Sequence, residues 1–184
     1  MNFLTPEASP SQPADAHGFP EWLGPVPNEI FELLGRVTML GAFIELRLLR
    51  LLVSLGTKSE PELAGDPVAE LIRSTRFLVL NGSPARPALP AKTRSAISLV
   101  VDETEAIHLR RNALVHGVWA NPESNALYVW RPARTSARDL EGGTTASRTT
   151  SRAEVKELIV QQGAVAQELE RCRDLVEEVP RAWP

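Results

Sequence analysis

The stretch VDETEAIHLRRNALVHGVW, Val101 to Trp119, decides how this chain is read. Val101, Ile107, Leu114 and Val115 recur at helical spacing, and Gly117 stops the run. Its polar residues crowd toward one end: Arg110, Arg111, Asn112 and His116, with Glu105 and His108 a turn or two earlier. Two of the chain's three histidines lie here. Residues four apart share a helix face, so His108, Asn112 and His116 form one polar row. Arg111 sits beside that row, about 140° around the axis from His116. Ile97 and Val100 carry the apolar stripe back to Pro90 or Ala91, while Asp102, Glu103 and Glu105 face away or toward a partner. This is a long helix ending in a cluster of reactive side chains.

Upstream, Pro27-Asn28 opens an earlier and greasier helix. Ile30, Leu33, Leu34, Val37, Leu40, Ile44, Leu48, Leu51, Leu52 and Leu55 cover more than one face, as in a helix central to a bundle or shared with a second subunit. Gly56 ends it. Gly35 and Gly41 weaken it unless neighbours approach closely there. Glu45 reads either as a solvated edge residue or as a buried acid facing Arg110 or Arg111. A polar link then leads to Asp66-Pro67, a helix start, and a short helix to about Leu80 with Arg73 and Arg76 on its polar side. Asn81-Gly82-Ser83-Pro84 breaks it, and Pro84, Pro87 and Pro90 stiffen the connector. Residues 1–24, rich in Pro, Ser and Ala, read as a disordered or loosely docked tail holding the third histidine, His17.

Downstream, residues 118–131 alternate apolar and polar around Asn121-Pro122, which predicts a β-hairpin carrying Trp119, Tyr128 and Trp130. These aromatics either cover the bundle end or offer a stacking surface for bases. Residues 132–150 read as a flexible loop, and five arginines between Arg131 and Arg152 make it locally basic. Ser151-Arg152-Ala153-Glu154 is a capping box. The helix behind it carries Val155, Leu158, Val165, Leu169, Cys172 and Val176 at near-heptad spacing, with Cys172 as a core residue. The expected fold is all-α, an up-and-down bundle of about four helices over residues 25–180, with the hairpin after the third.

Composition narrows the classes. The 184 residues suffice for one domain with a core, and the 43% hydrophobic and 23% charged content is ordinary for a globular protein. Charges interrupt every apolar run of membrane-spanning length, and MNFLTPEASP lacks the features of a secretion signal. One cysteine excludes an internal disulfide and a multi-cysteine zinc site. A cytoplasmic protein without membrane association is the default expectation. The net charge of −3 argues against avid, general nucleic-acid binding but leaves room for arginines that grip one or two phosphates. His108 and His116 stand eight residues apart, about 12 Å along the axis, too far to share a metal ion. No metal and no cofactor is expected.

Arg111-Asn112-Ala113-Leu114-Val115-His116, followed by Gly117 and Trp119, resembles the motif of HEPN ribonucleases (higher eukaryotes and prokaryotes nucleotide-binding), in particular bacterial members. The resemblance covers the motif and loosely the helix order over residues 28–178. It implies a compact, often dimeric helical bundle that cuts RNA without a metal. The catalytic residues would be Arg111, Asn112 and His116. Arg110, Glu45, His108 and Trp119 would follow as second-line or RNA-contact candidates. It implies a composite site in a homodimer, 2′,3′-cyclic phosphate products, a toxin or phage-defence role, and restraint by an antitoxin, often nucleotidyltransferase-like. Residue types alone also allow a non-catalytic interaction module or a nucleotide- or RNA-binding module. There, Arg111 would pair with Glu45 or Glu105 and His116 would merely cap the helix.

Overall fold

The computed structural model describes residues 27–56, 58–86, 88–116, 118–120, 127–132 and 145–180, with the backbone alone described for 118–120, 127–132 and 145–149. The tail, 1–24, lies outside these residues. Five helices lie among them: α1 (Asn28–Ser54), α2 (Glu60–Leu63), α3 (Val68–Asn81), α4 (Ala91–Val115) and α5 (Arg152–Glu177). The chain is mostly helical, as expected. The single-turn α2 falls inside what reads as a plain polar link. Ser59 starts it, its backbone N–H and hydroxyl both donating to Glu62.

α1 packs against α3, α4 and α5, and α4 against α1, α3 and α5, so α1 and α4 form the diagonal of the bundle. The core follows the apolar stripes: Ile30, Val37, Leu48 and Leu51 from α1, Ile97 and Val101 from α4, Val155, Leu158, Leu169 and Cys172 from α5. Burial of these side chains at about 25 cal/mol per Å² is the main force holding the helices together. Ser151 accepts from the Glu154 backbone N–H at 3.2 Å while the Glu154 carboxylate accepts from the Ser151 N–H at 2.8 Å, so the capping box starts α5 where expected.

The bundle is not up-and-down, which corrects the topology expected. Glu29 meets Arg152 and Lys156, the Val37 carbonyl meets Gln162, and Arg47 meets Glu170, so α1 and α5 run parallel. First and last helices of an up-down-up-down bundle would be antiparallel. Residues 58–67, with α2, carry the chain back along α1, where Glu60 meets Arg50 at 3.4 Å, before α3 starts. The return begins at Gly56, φ +84°, where a Cβ would lie 2.5 Å from the Ala85 Cβ; only glycine suits both demands.

The far end is tied by Arg86, 3% exposed in the α3–α4 connector. Its Nε donates to the Ser54 carbonyl at 2.8 Å and its Nη1 to the Val179 carbonyl, satisfying orphan acceptors where α1 and α5 stop. Beyond α4 the backbones of β1 (Val118–Ala120), β2 (Leu127–Pro132) and β3 (Thr145–Thr150) pair antiparallel in that order. Val118 stands opposite Trp130, and Leu127 opposite Thr150. Thr145–Thr150 thus pairs as a strand where a flexible loop is expected, while 121–126, the turn of the expected hairpin, and 133–144 lie outside the described residues.

Candidate functional site

The buried stripe of α4 runs Thr93, Ile97, Val100, Val101, Thr104, Ile107 and then stops, although the helix continues to Val115. From His108 through Val115 no side chain is fully buried, Leu114 and Val115 pack only partly against the core, and His116, the C-cap, is exposed. The last two turns therefore lie at the margin of the core, against the middle of α1 and the first half of α5.

α1 offers them Gly41 and, one turn on, Glu45. Arg111 lies directly over Gly41: a Cβ placed there would stand 3.0 Å from its Nε and 3.6 Å from its Cδ and Cγ. This is the close approach that would justify a glycine inside α1, whereas a Cβ at Gly35 meets nothing within 4 Å. The Arg111 Nε is buried with no hydrogen-bond partner, and among the described residues Arg111 makes no ion pair with Glu45 or Glu105. Glu105 is engaged elsewhere, sharing Arg76 with Asp102 at 2.7 and 2.6 Å. Glu45 is half-buried, close enough for its carboxylate to act on His108, and among the described residues it pairs with neither Arg110 nor Arg111.

The two arginines part company. Arg110 donates from Nη1 to the Gln161 side-chain oxygen on α5, and Gln161 in turn donates to Glu157 at 3.0 Å. Arg110 is a strut between α4 and α5. Arg111 instead donates from Nη1 to the Asn112 oxygen at 2.9 Å, and the Asn112 amide nitrogen meets His108 Nε2 at 2.8 Å. An arginine has only donors to give, so the Asn112 oxygen must face it, and the amide N–H is left for His108. His108 Nε2 therefore accepts, which requires the neutral ring. Burial holds the His108 imidazole below its usual range; Arg111 and His116 push the same way, and Glu45 opposes them.

His108, Asn112 and Arg111 thus form one hydrogen-bonded chain, and His116 stands free of it at the solvent edge. Asn112 orients the guanidinium, not the His116 ring. Trp119, in β1, pairs through its backbone with Val129 of β2; its side chain lies outside the described residues. Sequence reasoning missed Gln161, a polar residue at a helix position that carries no local signal. Gly41 stood out only as a helix-weakening residue that a close neighbour would justify.

Among the described residues no group of three His, Cys, Asp or Glu is placed to hold a metal ion, and no helix is long and apolar enough to cross a membrane. A groove of about 400 Å³ lined by Leu52, Lys58, Leu63, Arg73 and Phe77 shares no residue with the row. No family model, no curated protein and no solved structure matches the chain.

Proposed function

We propose that the chain is a metal-independent endoribonuclease of the HEPN type, acting as a homodimer. The observation that carries the reading is an arginine with no acidic partner among the described residues, five positions before an exposed histidine at the end of α4. A guanidinium already neutralised by a carboxylate would have little left for a phosphate; Arg111 is fixed by a neutral amide and keeps its charge.

In this mechanism the 2′-hydroxyl of RNA attacks the adjacent phosphorus, forming the P–O2′ bond and breaking the P–O5′ bond. Neutral His116 takes the 2′ proton, and protonated His116 of the partner subunit gives one to the departing 5′ oxygen. Arg111 stabilises the charge that builds on the phosphoryl oxygens. One histidine rarely serves as both base and acid, so the dimer follows from the chemistry. Exposed Met39, Phe43 and Leu46 on α1, next to the Glu45 edge, give a second copy an apolar face. By the resemblance, Trp119 would belong to the RNA-contacting residues. A toxin or phage-defence role, a cytoplasmic setting and restraint by a nucleotidyltransferase-like antitoxin belong to the same reading.

A second reading, a non-catalytic interaction or nucleotide-binding module, is favoured by the same apolar strip and by the net charge of −3. Cleavage of a mixed RNA pool in excess chelator separates the two. Wild-type protein is expected to cut and leave 2′,3′-cyclic phosphate ends, and His116→Ala, folded and in the same oligomeric state, to lose that activity. Cutting that survives in the variant would remove His116 from the mechanism. A wild-type dimer that cuts nothing would favour the module.

A further inference from the structure

A glycine in a helix interior weakens the helix, and where no neighbour needs the space an alanine would serve better. Gly163 in α5 is such a position, since a Cβ there meets nothing within 4 Å. Gly41 is the opposite case. The missing side chain leaves a bare patch of α1 backbone, and the Nε, Cδ and Cγ of Arg111 lie across it. On the other flank the Asn112 oxygen holds Nη1, and Asn112 is itself held by His108. The guanidinium is thus located by contact on one side and by hydrogen bonding on the other, and among the described residues no carboxylate is hydrogen-bonded to it.

We propose that Gly41 is a positioning residue: its bare backbone is the seat that sets where the Arg111 guanidinium stands. Arg111 is the end of a flexible side chain, so an added Cβ displaces the arginine and leaves α1 in place. Helix stability and site geometry therefore respond oppositely to Gly41→Ala. The fold gains from the better helix former while the guanidinium shifts by a few tenths of an ångström, and a longer side chain moves it further. Gly163 substitutions change the helix without touching the seat.

The activity arm of the test rests on the ribonuclease reading; the spectroscopic arm does not. The ¹⁵N-labelled arginine Nε–H signals of the full chain are recorded, with Arg111→Lys identifying the Arg111 signal. That Nε–H, buried and unpartnered, is expected to exchange slowly with water in wild type, Gly163→Ala and Gly163→Leu. It should shift and exchange faster in Gly41→Ala, and more so in Gly41→Leu, with thermal midpoints no lower than wild type for Gly41→Ala. On RNA, kcat is expected to fall about tenfold in Gly41→Ala and about a hundredfold in Gly41→Leu, with KM little changed. The Gly163 variants stay within about twofold. An unchanged Arg111 signal in Gly41→Leu, or a Gly41→Leu enzyme that cuts like wild type, overturns the proposal. If wild type cuts no RNA, the ribonuclease reading fails and the Arg111 signal alone decides the seat.

Discussion

Arg86 and Arg111 sit at two places where helices end, and they do opposite work. Arg86 is 3% exposed and donates to the Ser54 and Val179 carbonyls, the loose acceptors at the C-termini of α1 and α5. Arg111 is half-buried, donates to one side-chain amide, and leaves its Nε without a partner. The first arrangement spends a guanidinium on the backbone and closes the bundle. The second holds a guanidinium in position while keeping its charge uncommitted. Buried donors left unmatched are costly; the Nε atoms of Arg47 and Arg173 are unmatched too, but those guanidiniums are paired with Glu170, whereas Arg111 has no ion pair among the described residues.

Replacing each arginine by methionine, which keeps most of the volume, should pull the two apart. Arg86→Met is expected to lower the free energy of unfolding by about 2–4 kcal/mol, since two carbonyls lose a charged donor. Arg111→Met should stay within about 1 kcal/mol of wild type. On the proposed ribonuclease reading it should nevertheless reduce RNA cleavage by about a hundredfold or more. Urea denaturation and cleavage rates on the same preparations check both, and equal destabilisation by the two changes would break the comparison.

The site end should also respond to pH in a range the closed end does not. The folded-state pKa of His108 is depressed, so its contribution to stability is present above the unfolded pKa, near 6.5, and is lost as pH falls through the folded value. Protonation would also set an N–H of His108 against the Asn112 amide and break the chain to Arg111. Groups facing His108 are Glu45 on α1 and Arg111 and His116 on α4. Glu29 and Glu62 are held below the usual carboxylate range by Lys156 and by the Ser59 backbone, so their losses begin lower, below about pH 4.3. Denaturation midpoints between pH 7.5 and 5 should therefore fall in wild type. They should flatten in His108→Gln, whose amide oxygen accepts from Asn112 at any pH. A slope unchanged in that variant would assign the effect elsewhere.

The smallest effect is expected at Gln162, fully buried between α1 and α5. It donates to the Val37 carbonyl at 3.1 Å while its own oxygen has no partner. Gln162→Met loses the hydrogen bond and removes the unmatched oxygen, so the change in stability should stay within about 1 kcal/mol. A loss above about 2 kcal/mol would mean that a water satisfies the oxygen.

Much of this was legible residue by residue. Pro27-Asn28, Pro90-Ala91 and the Ser151–Glu154 box lie where α1, α4 and α5 begin, and Cys172 falls in the core. The row His108, Asn112, His116 follows from a period of 3.6, and two of its members are hydrogen-bonded as that spacing predicts. Glu45 could not be placed from its neighbours, because Ile44 and Leu46 suit an edge or an interior alike. Arg86 carries no signal beyond lying between two prolines of a connector.

The chain by itself determined where helices start and stop and which faces turn inward, since propensity, capping and periodicity act between residues no more than four apart. Tertiary packing decided the direction of α3 and α5 relative to α1, the buried post of Arg86, and the different fates of Arg110 and Arg111. Adjacent arginines on one helix point about 100° apart. One met a glutamine on α5 and the other a glycine on α1, and only the packed bundle brings those partners within reach.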